Sequence, residues 1–196
     1  MKNQKTIHLT LTAAFFALIL LLGMTPLGLI PLGFINVTIL CVPVIVGTIL
    51  LGLKVGLALG ACFGLTSALS AFGLSLVPQS ALAAALVAES PALVLVMCFV
   101  PRLLVPVTTH LVYRAVSKGE RSKLGIVPAA IVGSLTNTVF YLGLMLLFYT
   151  LVGLDSTAIL GLIGGTGLIG GGAEAVVAAL LSTPILLALF QLKKEA

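Results

Sequence analysis

Long apolar runs, broken by short polar or glycine- and proline-rich stretches, set the pattern of this chain. They cover residues 7–23, 37–51, 55–71, 91–113 and 126–152, and a last run begins behind the glycine-rich stretch 164–172. About 20 apolar residues make a helix long enough to cross the hydrocarbon of a bilayer. The pattern therefore predicts an all-α integral membrane bundle of six transmembrane helices, forming a single domain over residues 1–196. The first run has the flanks of a signal peptide, but it is long for one, no small-residue cleavage site follows, and the later crossings need it. A retained helix is expected. Gly52, Gly56, Gly60 and Gly64 recur every four residues beside the tight turn Leu51-Gly-Leu-Lys54, a spacing that lets a neighbouring helix approach closely. Two uncharged connections stand out. Residues 24–36 repeat Pro-Leu-Gly and are expected to fold back over the mouth of the bundle, with Asn36 either capping helix two or pointing into a site. Residues 72–90 carry Ser75, Pro78, Gln79 and Ser80 and read as a long, partly helical outer loop.

Composition agrees with the pattern. The chain is 60% hydrophobic and 8% charged, against about 25% charged in soluble domains. Its net charge of +5 does not imply nucleic acid, because the charges sort by side of the membrane. Lys2, Lys5, Lys54, Arg114, Lys118, Arg121, Lys123, Lys193 and Lys194 all fall at one face if the helices alternate, while the opposite loops hold only Glu89 and Asp155. The excess of basic residues on the inner side of membranes then places both termini in the cytoplasm and makes the lipid bilayer the surrounding partner. Cys41, Cys62 and Cys98 are scattered singly through apolar runs, without metal-binding or redox spacing, and read as small core hydrophobes.

Against this background a few polar residues carry the chemistry. Arg102 lies within an apolar run flanked by Pro101 and Pro106. An arginine near the middle of a membrane helix costs roughly 2.5–3.5 kcal/mol or more, so it faces protein or a wet cavity and has a partner. Each proline also frees a carbonyl one turn back, which neighbours must satisfy. Thr136-Asn137-Thr138 sits near mid-depth in helix five, where the amide acts either as interhelical glue or as a ligand contact. Glu174 lies just inside helix six. Arg102 and Glu174 are expected either to neutralise one another or to hold the two ends of a polar ligand.

Gly165, Gly167 and Gly170 formally match G-x-G-x-x-G, but no strand precedes them, and they read as a flexible lead into helix six. No nucleophile with a base, metal cluster or phosphate loop is present, which argues against an enzyme and for ATP use, if any, by a partner. Ala13-x-x-x-Ala17 in helix one is a small-residue motif that serves packing within the bundle or an interface with another protein. The best reading is a solute-binding membrane protein without a cofactor; the competing class is a scaffold.

In order along the chain, several of these features resemble the substrate-binding S-components of energy-coupling factor (ECF) vitamin transporters. The resemblance rests on Ala13 to Ala17, on Pro-Leu-Gly-Phe-Ile-Asn-Val-Thr from Pro31, and on Leu-Leu-Gly-Leu-Lys-Val-Gly from Leu50. It continues in Pro101-Arg102-Leu103, Gly133-Ser-Leu-Thr-Asn-Thr138, and Glu174 followed by Ala-Val-Val-Ala-Ala. It implies a six-helix protein of the prokaryotic cytoplasmic membrane that captures a vitamin from outside and docks on a coupling transmembrane subunit with two ATPase subunits. In that family the alanine motif faces the coupling subunit, which gives Ala13 and Ala17 that role, and the loops after helices one and three close over the ligand. Pro-Arg-Leu with Thr-Asn-Thr looks most like the pantothenate-type members, and a guanidinium suits a carboxylate such as pantothenate carries. Asn36, Arg102, Asn137 and Glu174 are then the expected ligand contacts. Folate, riboflavin or cobalamin are the alternatives within the same system.

Overall fold

A computed structural model describes residues 2–31, 36–117, 123–162, 164 and 168–195. Helices dominate: α1 (Lys2–Met24), α2 (Cys41–Leu51), α3 (Leu53–Ala71), α4 (Ala81–Glu89), α5 (Pro91–Ser117), α6 (Ile126–Leu151), α7 (Thr157–Leu162) and α8 (Leu168–Glu195). A short antiparallel hairpin, β1 (Leu29–Pro31) and β2 (Asn36–Thr38), fills the connection between α1 and α2. Five helical stretches are long and apolar enough to cross a membrane: Lys5–Met24, Leu53–Ala71, Pro91–Ser117, Lys123–Leu151 and Gly170–Gln191.

The expected second crossing is the exception. Its 11 residues span about 16 Å at roughly 1.5 Å per residue, half of a bilayer's hydrocarbon thickness. The run that reads as helical from Val37 instead begins extended, because Asn36, Val37 and Thr38 pair with Pro31, Ile30 and Leu29. Helix geometry starts only at Cys41, with Leu40 in the capping position and no side-chain cap. Asn36 is therefore not the cap of helix two, and its side chain lies outside the described residues. Thr38 serves the start of the helix instead, its Oγ1 accepting from the Leu40 N–H at 3.1 Å. A helix that is apolar all round belongs inside a protein, and nine of the 11 residues of α2 are buried among α1, α3, α5, α6 and α8.

The glycine spacing is resolved by position. Gly52, at φ 96°, forms the one-residue turn between α2 and α3, a backbone geometry that side chains disfavour. Gly56, Gly60 and Gly64 face neighbouring helices: added Cβ atoms would strike Thr48 and Pro106, the Arg102 backbone carbonyl at 2.5 Å, and the Phe99 ring at 2.8 Å. Gly60 sets how near α3 comes to the middle of α5. Pro106 removes the N–H that would take the Arg102 carbonyl in a regular helix, and α3 comes up against that freed oxygen where it has no side chain.

The longer connections carry their own structure. Ser80 caps α4, its Oγ accepting from the Ala83 N–H at 3.3 Å, and the Tyr149 hydroxyl donates to the Leu82 carbonyl at 2.6 Å, which ties α4 to α6. Asp155 is absorbed locally: it accepts from the Thr157 N–H at 2.9 Å at the start of α7, and this bond holds its carboxyl below the usual range. The glycine-rich lead into the last helix falls mostly outside the described residues; α8 has begun by Leu168. The C-terminal ends of α2 and α5 and the N-terminal ends of α3 and α6 meet at one end of the bundle, where Tyr113 and Ser117 lie against Gly125. Lys54, Arg114 and Lys123 sit at that end, so the charge segregation in the sequence is also a segregation in space.

Candidate functional site

Arg102 stands in the middle of α5, only 5% exposed. Its surroundings follow from the neighbouring proline. Pro101 has no N–H to give to the Met97 carbonyl, and the Arg102 Nη1 donates to that oxygen at 3.1 Å. The guanidinium carbon lies 4.5 Å from the centre of the Tyr141 ring on α6 and 5.1 Å from that of Phe63 on α3, within range for attraction between a cation and an aromatic face. Charge is thus held by one freed carbonyl and two rings, with Nε left without a hydrogen-bond partner among the described residues. A cavity of about 20 Å³ lies beside it, walled by Ser67 and Ser70 of α3, Ser80 before α4, Cys98 and Tyr141, with Leu29 from the hairpin. That is room for one water.

Glu174 has different neighbours. Its Oε1 accepts from the Thr38 backbone N–H of β2 at 2.9 Å, and its Oε2 from the Thr138 hydroxyl of α6 at 2.9 Å. No ion pair joins it to Arg102 among the described residues, so the expectation that the two charges neutralise one another directly is corrected. The reason is geometric: the carboxylate is held by α6 and the hairpin, the guanidinium by α3, α5 and α6, and each keeps capacity for a further bond. Glu174 opens onto a separate, larger cavity of about 180 Å³ whose walls include Thr38, Cys41, Ser134, Gly170, Val177 and Ala178. Cys41 lies within electrostatic reach of both charges, so the two cavities are near neighbours in the bundle.

The Thr136-Asn137-Thr138 triplet divides its labour around α6. The Thr136 hydroxyl meets that of Thr108 on α5 at 3.1 Å, and Thr138 holds Glu174. Interhelical bonding therefore falls to the threonines. Asn137, 4% exposed, keeps its Oδ1 without a partner among the described residues, a costly condition for a buried acceptor.

Sequence reasoning missed Phe63, Tyr141 and the serines of α3. A signal was present. Ser134, Asn137 and Tyr141 follow at steps of three and four along α6, and Phe63, Ser67 and Ser70 do the same along α3, which puts each set on one helix face. On α1 the alanine motif turns the other way: Phe15 and Ile19 are buried, whereas Ala13, Ala14 and Ala17 are exposed.

Comparison with known proteins bears on the whole bundle. A search of curated proteins finds no match for this chain. The family model for the ECF transporter substrate-specific component matches residues 8–189. That span runs from the cytoplasmic-facing turn of α1 expected from the charges to the last turns of α8, and it takes in Arg102, Asn137 and Glu174. Membership implies a multi-pass membrane protein that binds a small molecule and works with ECF coupling and ATPase subunits, a transporter subunit of a generally non-catalytic family. The chain belongs to the family of ECF transporter substrate-specific components.

Proposed function

We propose that this protein captures pantothenate from outside a prokaryotic cell for uptake driven by two ATPase subunits through a coupling subunit. The observation that carries the reading is the contrast between two buried poles. Arg102 offers an unpartnered Nε among hydroxyls, a donor set suited to a carboxylate. Glu174 offers an acceptor beside an apolar cavity, and Asn137, on the same helix as Ser134 of that cavity's wall, offers a buried Oδ1 without a partner among the described residues. Pantothenate matches both, with a carboxylate at one end and, at the other, two hydroxyl donors on a carbon skeleton bearing geminal methyl groups. Asn36, on β2 two residues before Thr38, is assigned to the same site. A folate or flavin ring requires stacking partners, and the aromatic rings beside Arg102, Phe63 and Tyr141, are already engaged by the guanidinium.

In this reading the 1–196 chain acts as a single domain with both termini in the cytoplasm. The hairpin with α2 completes a sixth crossing alongside the five long spans, and the hairpin and α4 cover the site from outside. The alanine face of α1 receives the coupling subunit. Two experiments test this. Mass spectrometry of the small molecule that copurifies with the protein should find pantothenate, and calorimetry should show it binding; another vitamin in its place overturns the ligand assignment. With the three native cysteines replaced by alanine, an impermeant thiol reagent outside intact cells should label Leu76→Cys and not Leu124→Cys. The reverse pattern overturns the orientation.

A further inference from the structure

A second cavity with polar walls lies at the basic end of the bundle, away from Arg102 and Glu174. Its volume is about 190 Å³, and Thr48 and Gly52 from the end of α2 and His110, Tyr113, Arg114 and Ser117 from the last turns of α5 line it. We propose that it binds a phosphate group, the shared chemistry of an anionic phospholipid head and of free phosphate.

The charges point that way. Arg114 is exposed at the rim and makes no ion pair among the described residues. The acidic side chains described belong elsewhere: Glu89 closes α4 just before α5 begins and Asp155 lies between α6 and α7, both at the opposite end of α5 and α6, and Glu174 is held by Thr38 and Thr138. Helix dipoles do not reverse the sign, because the two C-terminal ends that converge here, of α2 and α5, are offset by the N-terminal ends of α3 and α6. A second observation is independent of charge. Ser117, 4% exposed and part of the cavity wall, has a buried Oγ, packed toward Gly125, without a hydrogen-bond partner among the described residues; a turn of its side chain is all that separates this donor from an acceptor in the cavity. Guanidinium at the rim, hydroxyl within and imidazole on the wall is a donor set for phosphate oxygens. Basic pockets between helices at the membrane surface are where anionic lipid heads are held.

The test uses the full chain in nanodiscs and does not depend on the identity of the vitamin. In phosphatidylcholine alone the melting temperature sets the baseline; adding phosphatidylglycerol should raise it by ~5 °C. Arg114→Gln should remove most of that rise, Ser117→Ala part of it, and Lys123→Gln, an exposed basic residue at the same end outside the cavity, almost none. Inorganic phosphate titrated into phosphatidylcholine nanodiscs separates the sources: an equal rise assigns the site to free phosphate, and a rise with phosphatidylglycerol alone assigns it to the lipid head. The proposal is overturned if neither ligand raises the melting temperature, or if Arg114→Gln and Lys123→Gln lose the rise alike. Should Arg114→Gln fail to fold, the comparison of Ser117→Ala with Lys123→Gln decides by the same criterion.

Discussion

Replacing Arg102 by methionine should weaken vitamin binding by about 2–5 kcal/mol, the cost of leaving a buried carboxylate without its partner, while the bundle still folds. The stability loss should be smaller. Methionine forfeits the bond to the Met97 carbonyl, worth about 1 kcal/mol or somewhat more for a charged donor, and the attraction to Phe63 and Tyr141, but it also removes the cost of burying a cation. Arg102→Lys should fall between, since an ammonium lacks the planar fork that serves Met97 and a ligand together. The double variant Arg102→Met, Glu174→Gln is the sharper measurement. If the two charges existed for each other, removing both would restore binding. Because each has separate partners, the double should bind no better than Arg102→Met alone. Calorimetry on the two singles and the double decides it, and a double variant with wild-type affinity would remove Arg102 from the site.

The second large effect concerns coupling. Ala17→Trp should reduce vitamin uptake by about tenfold or more, equivalent to ~1.4 kcal/mol of lost association with the coupling subunit, while purified protein binds the vitamin as before. Ala13→Trp should do the same. The physical reason is the direction of the motif: α1 turns Phe15 and Ile19 into the core and Ala13 and Ala17 outward, so a large ring has nothing to strike inside the bundle. It would strike only a neighbour that needs a flat, small-residue surface. Uptake assays in cells, paired with affinity and melting temperature in detergent, separate the outcomes. Unchanged uptake would make this face a lipid contact, and a joint fall in affinity and melting temperature would make it internal packing.

Hydropathy over windows of about 20 residues determines the long helices, because a segment that must leave water whole has to satisfy its own backbone bonds. For the same reason the chain marks its basic end and singles out Arg102, Asn137 and Glu174 as polar groups at depth. Hydropathy does not report strand pairing, so the extended start at Asn36–Thr38 and the shortened α2 are invisible to it; these follow from the meeting of β1 with β2. Nor does it report which helix faces meet. Pro101 announces an unpaired Met97 carbonyl, but only the packing of α3 and α6 against α5 brings Phe63 and Tyr141 over the guanidinium. Glu174 and Arg102 are natural partners by charge and composition alone. The fold decided otherwise, because Thr38 and Thr138 reach the carboxylate first, and hydrogen-bond partners within three ångströms are a matter of tertiary contact that no spacing along one chain can fix.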